Sequence, residues 1–203
     1  METRDIFEQM ATRYDNEERA AIAEIIAGAI RQELSGASDT QGKKALDYGC
    51  GTGLVGLKLV DLFGSMLFVD TSPQMVEQVR KKLADDGIAN ASAQSGDFCD
   101  FVPPGVSADY IFLSQVLLHV KEYPLLLEKL YDLLHPGGHL IIVDFDKNDN
   151  VSSDMVHNGF VQADLADLLR KIGFSSVNSH TFHHGQKLFM NQDASMFLLH
   201  ATK

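Results

Sequence analysis

The sequence predicts an α/β fold, a doubly wound and mostly parallel sheet, and three observations lead there. Residues 45–56 read ALDYGCGTGLVG, an apolar run that leads straight into glycines at every second position. Further apolar runs of strand length, SMLFVD, ADYIFLS and HLIIVDF, alternate with stretches of helical period. The closing segments SSVNSHTF and ASMFLLHAT read as a terminal antiparallel pair. With 203 residues, 45% hydrophobic and 22% charged, the chain suits one well-cored domain over 1–203. No internal repeat, low-complexity segment or interdomain linker divides it.

At the N-terminus, DIFEQMATRY (5–14) carries Phe7 and Tyr14, whose simplest role is hydrophobic packing onto the domain. A helix follows. Asp15 or Asn16 can cap it, Glu17 and Glu18 suit its first turn, and Ile22, Ile25, Ile26, Ala29 and Ile30 mark one face. SGASDTQGKK (35–44) is a polar loop before the first strand. After the glycines, Leu54, Leu57, Val60 and Leu62 predict a helix that Gly64 stops.

Strand, glycine turn and helix in that order make the first turn of a nucleotide-binding βαβ unit. Glycine lets the backbone turn sharply there and approach a ligand with no Cβ in the way. Two ligand classes fit the spacing. Gly51, Gly53 and Gly56 satisfy G-x-G-x-x-G, so an NAD-dependent oxidoreductase is an alternative. Asp47 with Gly49, Gly51 and Gly53 gives D-x-G-x-G-x-G instead. A carboxylate beside the turn repels a pyrophosphate and favours a cation. S-adenosylmethionine carries an ammonium, a sulfonium and no phosphate.

SMLFVD forms the second strand and ends at Asp70, placed to accept hydrogen bonds from ribose hydroxyls. Ser72-Pro73 starts the next helix, with Met75, Val76, Val79 and Leu83 as its buried stripe. ASAQS stands where the third strand is due and leads into Gly96-Asp97-Phe98. ADYIFLS is the fourth strand. Ser114 through His119 then lie at its carboxyl end, where open α/β sheets bind ligands. Residues 122–135 form an amphipathic helix stopped by Pro136-Gly137-Gly138, and HLIIVDF is the fifth strand. DFDKNDN (144–150) is a solvated loop and not a calcium loop, because Asp149 stands where Gly is needed and Met155 where Glu is needed. His157-Asn158-Gly159-Phe160 opens a helix with Leu165, Leu168, Leu169 and Ile172 on one face. Period-two alternation splits His180, His183 and His184 across two faces, so no metal is expected there.

Taken together and in order, these motifs resemble the class I S-adenosylmethionine-dependent methyltransferases. The likeness rests on the acid with G-x-G-x-G at 47–53, Asp70, the Asp97-Phe98 pair and PGGHLIIVDF at 136–145. It runs from about Tyr14 to the last strand. It implies the class I methyltransferase fold, a seven-stranded sheet with an antiparallel last strand, and S-adenosyl-L-methionine as cofactor. By resemblance, Asp47, Gly49, Cys50, Gly51 and Gly53 hold the methionine end and Asp70 the ribose. Thr71 and Met75 lie near the adenine, Asp97 accepts from its amino group and Phe98 edges its ring. Ser114 borders the cofactor after the fourth strand. The 1–35 region, with its F-x-x-x-A-x-x-Y-D likeness ending at Tyr14 and Asp15, implies a lid segment and helix over the cofactor. His119 is the candidate general base and His157 a reserve. The activity implied is methyl transfer to a small-molecule acceptor by in-line displacement. A non-catalytic S-adenosylmethionine-binding protein carries the same motifs.

Composition narrows the partners. A net charge of −11 disfavours a nucleic-acid or anionic-membrane partner. The densest basic cluster, Arg80, Lys81 and Lys82, reads as the solvated side of a helix. Cys50 and Cys99 read as small buried thiols in a reducing compartment. METRDIFEQM lacks the apolar core of a signal peptide, and Glu24 and Asp109 break the longest apolar runs, so a cytoplasmic protein is expected. Neither an Asn-Pro-Pro-Tyr segment nor a Pro-Cys nucleophile is present, which leaves a small molecule as the acceptor.

Overall fold

A computed structural model describes residues 14–36 and 40–203 of the chain. Strands β1 (Lys44–Tyr48), β2 (Ser65–Asp70), β3 (Ala91–Ser95), β4 (Ala108–Ser114), β5 (Leu134–Phe145), β6 (Ser176–Phe189) and β7 (Gln192–Thr202) form one seven-stranded sheet. Its order is β3-β2-β1-β4-β5-β7-β6. β1 to β5 pair in parallel, and β7 inserts antiparallel between β5 and β6. The central strands read as continuous apolar runs because both of their faces are covered: Ile111, Phe112 and Leu113 of β4 are all buried. The two edge strands, β3 and β6, are the polar ones. From β1 the order grows outward in both directions. The carboxyl ends of β1 and β4 therefore flank a crevice at the switch point, where such sheets take ligands.

Among the described residues, four α-helices flank the sheet. α1 (Glu17–Glu33) is capped by Asn16, whose side chain accepts the Arg19 N–H at 2.8 Å. α2 (Pro73–Asp85) is capped by Ser72, which accepts the Met75 N–H at 3.2 Å, and packs on β2 and β3. α3 (Tyr123–Leu133) and α4 (Gln162–Ile172) pack against each other, α3 on β5 and α4 on β6 and β7. Among the described residues, no helix is long and apolar enough to cross a membrane.

Three local expectations need correction. The helix after the glycine turn is two short 3₁₀ turns, Gly56–Lys58 and Val60–Leu62, and the residues it buries are Leu59, Val60 and Phe63. Gly56 is wedged against the end of β1. A Cβ there would collide with Asp47 Oδ2 and lie 2.5 Å from Phe68 Cε1, so the backbone takes a tighter path than an α-helix. β5 starts at Leu134, before Pro136-Gly137-Gly138, and a register shift between Ala108 and Tyr110 of β4 absorbs the extra residues. His157–Phe160 precedes α4 and does not open it; Phe160 bridges to Asp146 beside β5. A bulge between Thr181 and His183 puts His180 opposite Leu198 and His183 opposite Met196 on one face of β6, with His184 opposite Ser195 on the other, so the three histidines lie on two faces. No metal-holding cluster of His, Cys, Asp or Glu occurs among the described residues.

Candidate active site

The glycine turn is built as the spacing requires. Gly49, Gly51 and Gly53 have φ of 71°, 53° and 81°, a region that disfavours any residue with a Cβ. The Gly49 and Cys50 amides donate to the Val69 carbonyl at 2.7 and 3.0 Å, which bends the turn toward the end of β2. There Asp70 Oδ2 accepts the Gly51 N–H at 2.8 Å, and Oδ1 accepts the Ser72 N–H at 2.9 Å. Asp70 thus pins the glycine turn to the segment leading into α2.

Asp47 lies beneath this turn, 2% exposed, rather than on its ligand side. Burial first, and then the Asp70 carboxylate, push its pKa up to about 7, while the nearby Gly56 amide partly offsets them. Among the described residues Oδ2 has no hydrogen-bond partner. Asp47 therefore supports Gly56 from beneath the turn and does not present its carboxylate on the ligand side. Cys50 is a filler in the same turn. Burial, Asp47 and Asp70 raise its thiol pKa well above the ordinary value, so it stays protonated.

This geometry removes both anion donors from the dinucleotide alternative. The Gly51 amide is already bonded to Asp70, and no α-helix N-terminus follows the turn to receive a pyrophosphate.

The entry to α1 closes over the turn. The Tyr14 ring lies 3.9 Å from where a Gly51 Cβ would stand, and the Arg19 guanidinium covers it at 4.2 Å. Phe7 and the rest of residues 1–13 lie outside the described residues. With Asn16 serving as the cap, Asp15 is released for another purpose. The Thr52 hydroxyl donates to its Oδ1, and the Lys82 ammonium stands 2.6 Å from Oδ2 and donates to the Thr52 carbonyl at 2.7 Å. Lys82 is therefore no solvated bystander: it joins α2, the glycine turn and the entry to α1. The sequence offered no signal for this clasp, whose members lie far apart along the chain.

On the far side of β2, Thr71 is exposed beside Asp70, whereas Met75 is buried in the core. Asp97 is exposed, and its Oδ1 accepts from the Tyr48 hydroxyl at 3.3 Å and from the Cys99 N–H at 2.9 Å. Phe98 is 0% exposed, with its ring against Tyr48 at 5.0 Å between centroids. Phe98 is a correction: fully buried, it offers no open face to an adenine ring. Met75 takes its place in the buried stripe of α2, as its spacing predicts.

At the end of β4, Ser114 is half-buried, and its hydroxyl has no hydrogen-bond partner among the described residues. Gln115 follows with φ of 56°, an uncommon conformation for a residue with a side chain, held by its N–H to the Val143 carbonyl at 2.7 Å. No feature of the sequence announces it. The chain then turns so that Val116 sits directly on Gly49; a Cβ on that glycine would be 2.5 Å from Val116 Cγ2. The 3₁₀ turn Leu117–His119 follows. Burial pushes the His119 pKa down to about 4, so its imidazole is neutral at physiological pH. This corrects its matching to proton removal near neutrality, because so weak a base takes a proton poorly. His157 is spoken for structurally: its ring Nε2 lies 3.0 Å from the Val120 carbonyl, and its amide donates to the Leu118 carbonyl at 2.8 Å. Sequence reasoning also missed Asp144. This fully buried acid accepts the Leu118 N–H at 3.2 Å and the Phe145 N–H at 2.8 Å, and so anchors the His119 turn to β5. Its available signal was a lone acid inside the apolar run HLIIVDF.

A sheet of this order, with a glycine turn after β1 and an acid closing β2, has the class I methyltransferase fold. Residues 39–191 match the family model described as a methyltransferase domain, and the chain belongs to that family of S-adenosylmethionine-dependent enzymes. It is 29% identical over 213 residues to an uncharacterized methyltransferase of Geobacillus kaustophilus, covering 98% of this chain and 96% of that one. It is 28% identical over 156 residues to a ubiquinone/menaquinone biosynthesis C-methyltransferase of Saccharophagus degradans, covering 71% and 60% of the two chains. Among solved structures, magnesium protoporphyrin IX methyltransferase from Synechocystis, with S-adenosylhomocysteine bound, is similar at a TM-score of 0.78. That match has 17% identity and covers 98% of this chain and 97% of the other.

Proposed function

We propose that the chain transfers the methyl group of S-adenosylmethionine to a small-molecule acceptor held between the carboxyl ends of β1 and β4. The observation that carries this reading is the seating of Val116 on Gly49, which gives the glycine turn and the His119 turn a common wall. The residues fit the cofactor. The Tyr14 ring lies over the turn at Gly51, within van der Waals contact of a Cβ placed there, and Asp47 and Asp70 make the crevice attractive to a cation. Asp70 is suited to ribose hydroxyls and Asp97 to the adenine amino group, since a carboxylate oxygen accepts two hydrogen bonds. Gly49, Gly51 and Gly53 admit the methionine end.

The cofactor supplies an electrophilic methyl group on a sulfonium, so the chain's main task is to orient an acceptor and keep bulk water out. The clasp of Asp15, Thr52 and Lys82 holds Tyr14 and the entry to α1 over the turn as a lid. Ser114 and the neutral His119 offer hydrogen bonds that direct an acceptor atom toward the methyl group. A small molecule is favoured by the net charge of −11, which repels polyanions. The relatives named for ubiquinone/menaquinone biosynthesis and for magnesium protoporphyrin IX support it as well.

The test is transfer of labelled methyl from S-adenosylmethionine into a fractionated cell extract. Label should enter the low-molecular-mass fraction. Label confined to protein or nucleic acid would overturn the small-molecule reading, and no transfer into any fraction would leave cofactor binding without turnover.

A further inference from the structure

Tyr48 closes β1 immediately before Gly49, and its side chain is only 5% exposed. A strand residue in that place needs no hydroxyl for packing, yet this hydroxyl makes two bonds. It accepts the Phe98 N–H at 3.0 Å and stands 3.3 Å from Asp97 Oδ1. Since the amide is the donor on one side, the single phenolic proton is directed to the carboxylate on the other. Burial and Asp97 raise the phenol pKa far above its ordinary value, so that proton is kept at every physiological pH. The ring is fixed in turn by its tilted contact with Phe98, at 5.0 Å and 43°. The Cys99 N–H donates to the same Oδ1 at 2.9 Å, with the Cys99 thiol beside it. Asp97 is exposed and would otherwise rotate freely in water.

The geometry points to Tyr48 as the positioning residue for base recognition: its hydroxyl orients Asp97 to accept the 6-amino hydrogen of adenine. It thereby sets the preference for adenine over hypoxanthine, which presents an oxygen at that place. This rests on the adenine role proposed for Asp97. The physical gain is preorganisation, because a carboxylate already held in its binding orientation loses less freedom when the ligand arrives.

The test compares binding of S-adenosylhomocysteine and S-inosylhomocysteine by calorimetry in the wild type, Tyr48→Phe and Asp97→Asn. Tyr48→Phe keeps the ring and should lower the adenine preference by about tenfold, with little change for the inosyl ligand. A role in packing alone would shift both affinities together. An unchanged ratio in Tyr48→Phe, alongside its loss in Asp97→Asn, overturns the Tyr48 assignment alone. A ratio that survives Asp97→Asn overturns the Asp97 reading and the inference with it. Should Tyr48→Phe fail to fold, the wild-type Phe98 amide resonance serves, since its N–H donates to the same hydroxyl. It should move with S-adenosylhomocysteine and stay near its unliganded position with S-inosylhomocysteine; equal shifts overturn the assignment.

Discussion

Asp70 stands at the meeting point of three elements, with one oxygen on the Gly51 amide and the other on the Ser72 amide. Removing it strips the proposed ribose acceptor and also leaves the Gly51 N–H without its carboxylate. Asp70→Ala should therefore weaken S-adenosylmethionine binding by about 1.5–3 kcal/mol, the range for a hydrogen bond to a charged group. An unchanged calorimetric affinity would remove Asp70 from the site. His119 makes the opposite case, a residue whose chemistry is reduced by its surroundings. Its folded pKa of about 4 leaves it neutral through the physiological range, a hydrogen-bonding partner more than a proton acceptor. His119→Asn should keep cofactor affinity and lower turnover. The wild-type rate, measured with an acceptor from the labelled-methyl screen, should show no histidine-dependent limb between pH 5.5 and 8, roughly the window around an ordinary imidazole. A limb centred near 6.5 that vanishes in the variant would restore His119 as the general base.

At the scale of elements, the segment between Gly53 and Gly64 shows how a local pattern yields to a neighbour. Leu54, Leu57, Val60 and Leu62 fit a helical period, but the close approach of Gly56 to Asp47 and Phe68 dictates 3₁₀ turns. Gly56→Ala forces that contact apart and should destabilise the fold by about 1–3 kcal/mol; an unaltered denaturation midpoint would mean that the wedge is loose. The clasp is testable at the same scale. Asp15→Ala removes the partner of Lys82 and Thr52, so amide exchange over residues 14–18 should rise and cofactor release should quicken. Exchange equal to the wild type would reduce the clasp to a surface ion pair. The strands were legible in the sequence because a parallel sheet covered on both faces demands continuous apolar runs, and ADYIFLS and SMLFVD are such runs. The glycine turn and Asp70 were legible because backbone conformation and chain position fix them locally. Lys82, Gln115 and Asp144 were not. Each owes its place to partners that only the closed sheet brings near, and the same closure buries Phe98.

Across the whole molecule, the site leaves its mark on the pH dependence of stability. Asp144 is fully buried, and burial pushes its pKa up to about 7, partly offset by the Phe145, Leu118 and Leu117 amides. In the unfolded chain it titrates near 3.9, as an ordinary aspartate does. Between those values the folded state holds a proton that the unfolded state has released, so this group's contribution falls as pH rises through the window. It is fully present below about pH 4 and lost above about pH 7. Asp47, raised to about 7 by burial and by Asp70, acts in the same sense. His119 acts in the opposite sense: with its pKa lowered to about 4, its contribution is present above the unfolded value and lost as pH falls through the folded one. A single acid can be isolated by comparison with a variant that cannot titrate. Asp144→Asn retains one acceptor oxygen for the turn but has no pH-dependent charge. The stability difference between wild type and Asp144→Asn, from urea denaturation, should narrow by a few kcal/mol between pH 4 and pH 8, the direction set by the raised folded pKa. A difference that holds constant across that range would show that Asp144 titrates as it does in water, and that the His119 turn is anchored by an ordinary, hydrated carboxylate.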